Sequence, residues 1–167
     1  GLAVWNVEYR RVGNPGGGWP GAFVDVLAAL AHVQRLAQDF PLDLKRVTLM
    51  GHSAGGHLAL WAAAARRILA GHPLLGAEAL PLRRVVALAA VSDLRRAWEL
   101  RLSNGAVVEL LGGSPSQMAG AYALASPIEL LPCGVPQTLI HGAEDEAVPY
   151  ELSQRYHAAA IAAGDDC

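Results

Sequence analysis

Apolar and polar positions along the chain fall into two alternating rhythms. Residues 3–9 (AVWNVEY) form a short run rich in β-branched and aromatic side chains, closed by the loop RRVGNPGGGWPG, and read as a strand. From Pro20 onward Phe23, Val26, Leu27, Leu30, Val33 and Ala37 recur at helical spacing. Pro20 suits a first turn and Pro41 lies just past the end, so this stretch predicts an amphipathic helix laid on a sheet. The rhythm then repeats. Residues 46–50 predict an apolar strand, and 54–69 a helix so rich in alanine that both of its sides must be covered. Residues 84–91 (RVVALAAV) predict a buried strand, 136–141 (PQTLIH) another, and 149–163 a helix with Leu152, Tyr156, Ala159 and Ala163 along one stripe.

Strands that are apolar on both faces, each followed by a helical crossover, imply an α/β fold: a mostly parallel sheet in a three-layer α/β/α sandwich. Residues 94–132 break the pattern. They are rich in Gly, Ser and Pro with short apolar runs such as AVVELL, which suits small helices joined by turns, as a cap-like or irregular insertion. The chain opens on Gly1 within a predicted strand and stops at Cys167 just after a predicted helix. Residues 1–167 are therefore read as part of one domain, cut at both ends.

Composition narrows the partners. A formal net charge of −2, with arginines scattered in pairs rather than gathered on one face, argues against nucleic acid. No apolar run is long and uncharged enough to span a bilayer, so a membrane partner is not expected. The two cysteines, Cys133 and Cys167, form neither a CxxC motif nor a His-rich cluster, and imply no metal site and no disulfide framework. Their usage fits a reducing cytoplasm. Nothing in the sequence indicates oligomeric state.

The candidate chemistry lies in RVTLMGHSAGGHLAL. Gly51-His52-Ser53-Ala54-Gly55 has the G-x-S-x-G form, at a predicted passage from buried strand to helix, where a strained corner exposes a serine oxygen. Large side chains two positions before and after the serine would collide there, which explains Gly51 and Gly55. Ser53 is thus a candidate nucleophile, and the backbone N–H of Ala54 a candidate oxyanion donor at the helix start. A serine hydroxyl needs a histidine base, and that histidine needs a carboxylate. Downstream, the loop after PQTLIH reads HGAEDEAVP, and its Asp145 falls at the same sheet edge as Ser53.

Together GHSAGGHLALW and LIHGAEDEAVP resemble the esterase and lipase branch of the α/β-hydrolase fold, over essentially the whole chain. The opening VWNVEYRRVGNPGGGWPGAFVDV is similar to bacterial hydrolases of the kynurenine formamidase-like and feruloyl-esterase-like kinds. The resemblance implies a serine hydrolase of carboxylic ester or amide bonds acting on small molecules without a cofactor. Ser53 would be its nucleophile and Asp145 its acid, in the chain order serine, acid, histidine. It also implies that the upstream oxyanion loop precedes Gly1 and that the histidine follows Cys167. The 167 residues alone are then expected to be nearly inert and, with unpaired strand edges, to fold poorly.

Other residues compete for these roles. His52 and His57 flank the elbow too closely to serve as base; His32 and His72 belong to a helix face and a helix exit, and His157 lies well inside the last helix. His141 ends a strand near Asp145, where similar proteins use the residue to shape the acid loop. Asp93 also follows a strand end and is the rival acid, whereas Glu144 and Glu146 read as solvated loop charges. Of Trp5, Trp19, Trp61 and Trp98, the one to watch is Trp19, either a pocket wall or a loop anchor. The glycines of NPGGGWPG lack the lysine and hydroxyl of a phosphate loop. Two further functions stay open: a peptidase of the prolyl-oligopeptidase kind, and a non-catalytic binding protein on the same fold.

Overall fold

Three apolar runs meet side by side and in parallel. The computed structural model describes residues 1–68 and 80–167, so the expectations for Leu69 and His72 lie outside the described residues. Strand β1 (Val47–His52), β2 (Leu82–Leu88) and β3 (Gln137–Ile140) form one sheet in that order. Both pairings are parallel. Parallel neighbours need crossovers, and the intervening helices supply them. Helix α1 (Gly21–Asp39) precedes β1, and α2 (Ala54–Ile68) leads away from it. Helices α3 (Leu94–Glu99), α4 (Ala106–Leu111) and α5 (Ala119–Ala125) lie between β2 and β3, and α6 (Glu151–Ala162) follows β3. The register aligns His52 with Leu88 and Leu88 with Ile140, so the strands finish level at one rim.

Side-chain alternation decides which face is covered. Val85 and Ala87 point to the helices, packing with Leu60, Ala63 and Ala64 of α2 and Tyr156 and Ala160 of α6. On the other flank of α2, Leu58, Trp61 and Ala62 pack against Phe23 and Leu27 of α1 and against Leu94, Val107, Leu111 and Tyr122. Residues 56–65 of α2 are all buried, as its alanine content requires, and segment 94–132 folds as short helices seated in this same core. Of the three layers expected, the described residues form two, the sheet and one helix layer. The opposite sheet face is open, with Met50 67% and Ile140 52% exposed.

Several boundaries differ from the sequence pattern, each for a local reason. Residues 3–9 form no strand. Trp5 lies against His32 of α1 with ring centroids 5.1 Å apart, while Leu2 and Val4 face solvent. The alternation suits a strand, but a ladder needs a neighbour, and among the described residues β1 pairs only with β2. Strand β2 starts earlier than expected and stops at Leu88, because Ala89 turns to φ 43. Strand β1 runs on to His52 rather than stopping at Met50. The buried stripe of α6 is Leu152, Ser153, Tyr156 and Ala160; Ala159 is half-buried and Ala163 exposed.

A buried polar link joins α2 to α5. His57 of α2 is 3% exposed, and its Nε2 lies 2.8 Å from the carbonyl of Ala125 at the end of α5. A carbonyl only accepts, so Nε2 carries the proton. Burial drives the His57 pKa down to about 4 against the opposing pull of that carbonyl. In the unfolded chain the ring titrates near ~6.5. Between these values the unfolded state binds a proton that the folded state refuses, so the link weakens as pH falls. The slope is about 1.4 kcal/mol per pH unit across that window, levelling off below it. In thermal melts of the intact protein between pH 7 and 4, His57→Gln is expected to lose stability more gradually than wild type. Equal slopes would contradict the assignment.

Candidate active site

The corner after β1 is assembled from its backbone outward. Ser53 adopts φ 53, in the left-handed region where a residue with a Cβ is strained by about 1 kcal/mol or more. Two hydrogen bonds hold it there. Its N–H donates to the carbonyl of Leu88 at 2.9 Å, extending the sheet by one residue, and its own carbonyl accepts from the N–H of His57 at 3.0 Å, opening α2. Turning strand into helix within one residue drives Gly51 onto the first turn of α2: a Cβ on Gly51 would lie 2.1 Å from the carbonyl oxygen of Gly55. A Cβ on Gly56 would lie 2.8 Å from that of Ala90.

Gly55 itself has open space where a Cβ would stand, which corrects the expectation that its side chain would collide. It contributes a carbonyl to the close approach, and Gly56 is the second position where packing demands glycine. Ser53 is half-buried at the rim. Ala54, the first residue of α2, is exposed, and an N–H at that helix position has no acceptor one turn back.

The second half of the site starts at the same height. Because His52 and Ile140 are level across the sheet, Ser53 and His141 leave it two strands apart, roughly 10 Å at ordinary strand spacing. Four residues on, Asp145 turns back on its own loop. Its Oδ1 accepts from the N–H groups of Ala147 and Val148, both at 2.9 Å. Its Oδ2 takes neither bond and faces His141 Nε2 at 3.6 Å, beyond hydrogen-bond length. The Val148 N–H is the main influence holding the Asp145 carboxyl below the usual carboxylate range. Partial desolvation opposes it, while the Ala147 N–H and the fields of His141 and His52 reinforce it. An open concavity of about 560 Å³ is lined by Gly142, Ala143, Glu144 and Asp145.

The rival residues are occupied elsewhere. Asp93 is buried; its Oδ1 caps α3 by accepting from the Arg96 N–H at 3.0 Å, and its Oδ2 binds Arg155 of α6 at 3.0 Å. Ser92 Oγ donates to the Leu152 carbonyl at 3.0 Å, so these neighbours fasten α6 beside β2. His141 bonds within the acid loop, His57 bonds Ala125, His32 lies on Trp5, and His157 is exposed on α6. Trp19 behaves as a loop anchor, its backbone N–H donating to the Leu110 carbonyl at 2.8 Å and its ring meeting Phe23 edge-on at 4.7 Å. Trp61 is core, with Nε1–H donating to the Leu124 carbonyl. Glu144 and Glu146 are exposed. Cys133 is buried, which pushes its thiol up to about 11. No His, Cys, Asp and Glu cluster suited to a metal occurs among the described residues, and none of their helices is long and apolar enough to cross a membrane.

Sequence reasoning missed the partners that hold Asp145. The spacing D-x-A-V carries the signal, since an Asp carboxylate commonly accepts from backbone N–H groups two and three residues on.

A parallel sheet whose first rim turn carries a strained serine and whose third carries a carboxylate is the arrangement of the α/β-hydrolase class. The chain belongs to the BD-FAE family, whose profile matches residues 1–159. Esterase LipQ of Mycobacterium tuberculosis (strain ATCC 25618 / H37Rv) is 29% identical over 149 residues, covering 87% of this chain and 35% of LipQ. The chain thus spans about a third of that relative's length. A lipase/esterase from Lactobacillus plantarum superposes with a TM-score of 0.76 at 19% identity, over 95% of this chain and 62% of that one. An acylaminoacyl peptidase from Pyrococcus horikoshii superposes at 0.67 with 19% identity, over 87% and 22%. At these identities the two structures share the fold.

The glycine geometry gives a paired test of the corner. Gly51→Ala is expected to destabilise the intact protein by about 3 kcal/mol, since its Cβ would overlap backbone that cannot move aside. Gly55→Ala is expected to be neutral or to stabilise by up to about 1 kcal/mol through helix propensity. Denaturant melts of both variants decide it; a tolerated Gly51→Ala would contradict this construction of the corner.

Proposed function

We propose that the chain carries the nucleophile and the acid of a serine hydrolase acting on carboxylic esters, or amides, of small molecules. Ser53 attacks the substrate carbonyl, a histidine removes its proton, and Asp145 orients that histidine. The N–H of Ala54 stabilises the oxyanion as charge develops on it. The observation that carries the reading is the strained φ of 53 at Ser53, on the same rim as an Asp145 whose Oδ2 is free of the loop's own bonds. This strain is held by two backbone hydrogen bonds and a glycine contact, and strained backbone of this kind clusters at active sites.

His32, His57 and His141 are engaged away from Ser53, which supports a base supplied from outside these 167 residues. The share of LipQ that the chain leaves uncovered is compatible with that source. Turnover then requires neither metal nor cofactor. LipQ is named an esterase and the Lactobacillus protein a lipase/esterase, which favours esters over the peptidase alternative. The two free cysteines favour a reducing cytoplasm as its setting.

In the intact protein, Ser53→Ala is expected to lower kcat on p-nitrophenyl acetate by about a millionfold while leaving the melting temperature in place. Undiminished hydrolysis would overturn the assignment. Wild-type turnover of dipeptide amides in preference to aryl esters would move the reading to the peptidase.

A further inference from the structure

The cations of this chain fall into two kinds of surroundings. Arg10, Arg11, Arg95, Arg96 and Arg155 each pair with a carboxylate. Lys45, Arg46, Arg66, Arg83 and Arg84 form no ion pair among the described residues, and all of them lie at the end of the sheet remote from Ser53. They are scattered in the sequence, and the fold gathers them. Lys45 and Arg46 belong to the short helical turn (Leu44–Arg46) that feeds β1, and this turn packs against β2. Arg83 and Arg84 open β2, with Arg84 level with Thr48. The register jumps between Val47 and Thr48, so Arg83 is the extra residue of a bulge. Successive strand residues ordinarily face opposite ways; the bulge re-aims one, and Arg83 and Arg84 are both exposed. Arg84 donates to Thr138 Oγ1 at 2.7 Å, which uses one of its N–H groups and leaves the others.

Arg66 joins from the helix layer. From Ala54 to Arg66 the axis of α2 rises about 18 Å, close to the length of β1, so Arg66 sits at the height where the strands begin. It continues the line of Leu58 and Ala62, on the flank that faces α1. Its Nε is buried and has no hydrogen-bond partner. A buried donor left without an acceptor is costly, and an anion brought to this end would supply one. Phe40, which closes α1 at the same end, is 57% exposed, with exposed Pro41 beside it. Asp39, Asp43 and Asp166 bring negative charge to this rim, but Asp43 Oδ1 accepts from the Lys45 N–H and the cations outnumber the acids.

We propose that this rim is a docking surface for an anionic lipid bilayer: Lys45, Arg46, Arg66, Arg83 and Arg84 meet lipid phosphates, and Phe40 enters the headgroup boundary. Each basic residue held near an anionic bilayer strengthens binding by roughly fivefold, and an aromatic side chain at the boundary adds the apolar signal that charge alone lacks. Single-stranded nucleic acid would call for aromatic platforms interleaved with the cations, whereas Phe40 stands at their margin. Docked this way, the sheet stands on the membrane and lifts its opposite rim about 20 Å from the lipid. Ser53 then faces water, and the ester reaches it from solution. That last step rests on the reading of Ser53 as the nucleophile; the docking does not.

Sedimentation of the intact protein with vesicles tests the proposal. Vesicles of phosphatidylcholine mixed with phosphatidylglycerol should carry the protein down at low salt, and vesicles of phosphatidylcholine alone should not. Raising salt to about 1 M should release it, because the screening length then shrinks to about 3 Å. Arg83→Gln combined with Arg84→Gln should weaken binding by about 25-fold, Lys45→Gln combined with Arg46→Gln by a similar factor, and Phe40→Ser by about tenfold. Arg11→Gln, which removes a cation engaged by Glu8, should leave binding in place. Turnover of p-nitrophenyl acetate should be the same with and without vesicles. A protein that stays in solution beside the mixed vesicles would overturn the proposal, as would equal binding to pure phosphatidylcholine or unweakened binding by both double variants. Hydrolysis stimulated by vesicles would put the Ser53 rim against lipid and overturn the proposed face. Tighter binding of a single-stranded oligonucleotide than of mixed vesicles, lost in the same double variants, would give the rim to nucleic acid and overturn it too.

Discussion

The structure depends on one close approach between two backbones, Gly51 against the carbonyl of Gly55 across the corner at Ser53. A chain leaving a parallel strand must reverse quickly into a helix that packs back on that strand. Here it does so within one residue. The reversal is possible only because Ser53 accepts a left-handed φ and because Gly51 carries no Cβ where Gly55 oxygen passes. Gly56 then lets α2 settle onto Ala90, and the alanine face from residue 56 to 65 disappears into the core. The corner that seats the central helix is also the corner that presents a hydroxyl at the rim. In this chain packing and candidate chemistry are the same piece of geometry.

The level ending of the strands converts that local feature into a site. With His52, Leu88 and Ile140 in register, whatever follows each strand emerges on one edge of the sheet. Three carboxylate-bearing or hydroxyl-bearing turns meet there, and their hydrogen bonds sort them. Asp93 has both oxygens committed to α3 and α6, so it holds the frame. Asp145 commits one oxygen to its loop and leaves the other available. Sequence position alone could not separate these two acids, since both follow a strand end.

Much of the architecture was legible because it rests on local periodicity. The alternation of short apolar strands with helices of 3.6 period gave the α/β class and most element boundaries to within a few residues, and the elbow announced itself by its glycines. What escaped depended on partners distant in sequence. Residues 3–9 have a strand's composition but meet no ladder. Gly55 and Gly56 look alike in the motif, yet only Gly56 faces a neighbouring Cβ. The stripe of α6 runs through Ala160 and through Ser153, which bonds His141, a contact that helical spacing does not encode. The engagement of His141 with Val148 and Ser153 is likewise invisible until the loop has folded.

The central claim is that the strained corner presents Ser53 as a nucleophile and not merely as a turn residue. The most direct measurement is treatment of the intact protein with a fluorophosphonate, followed by peptide mass spectrometry. The account predicts a single stoichiometric adduct on Ser53, abolished by heat denaturation. An adduct on another residue, or a native protein that forms none, would contradict it.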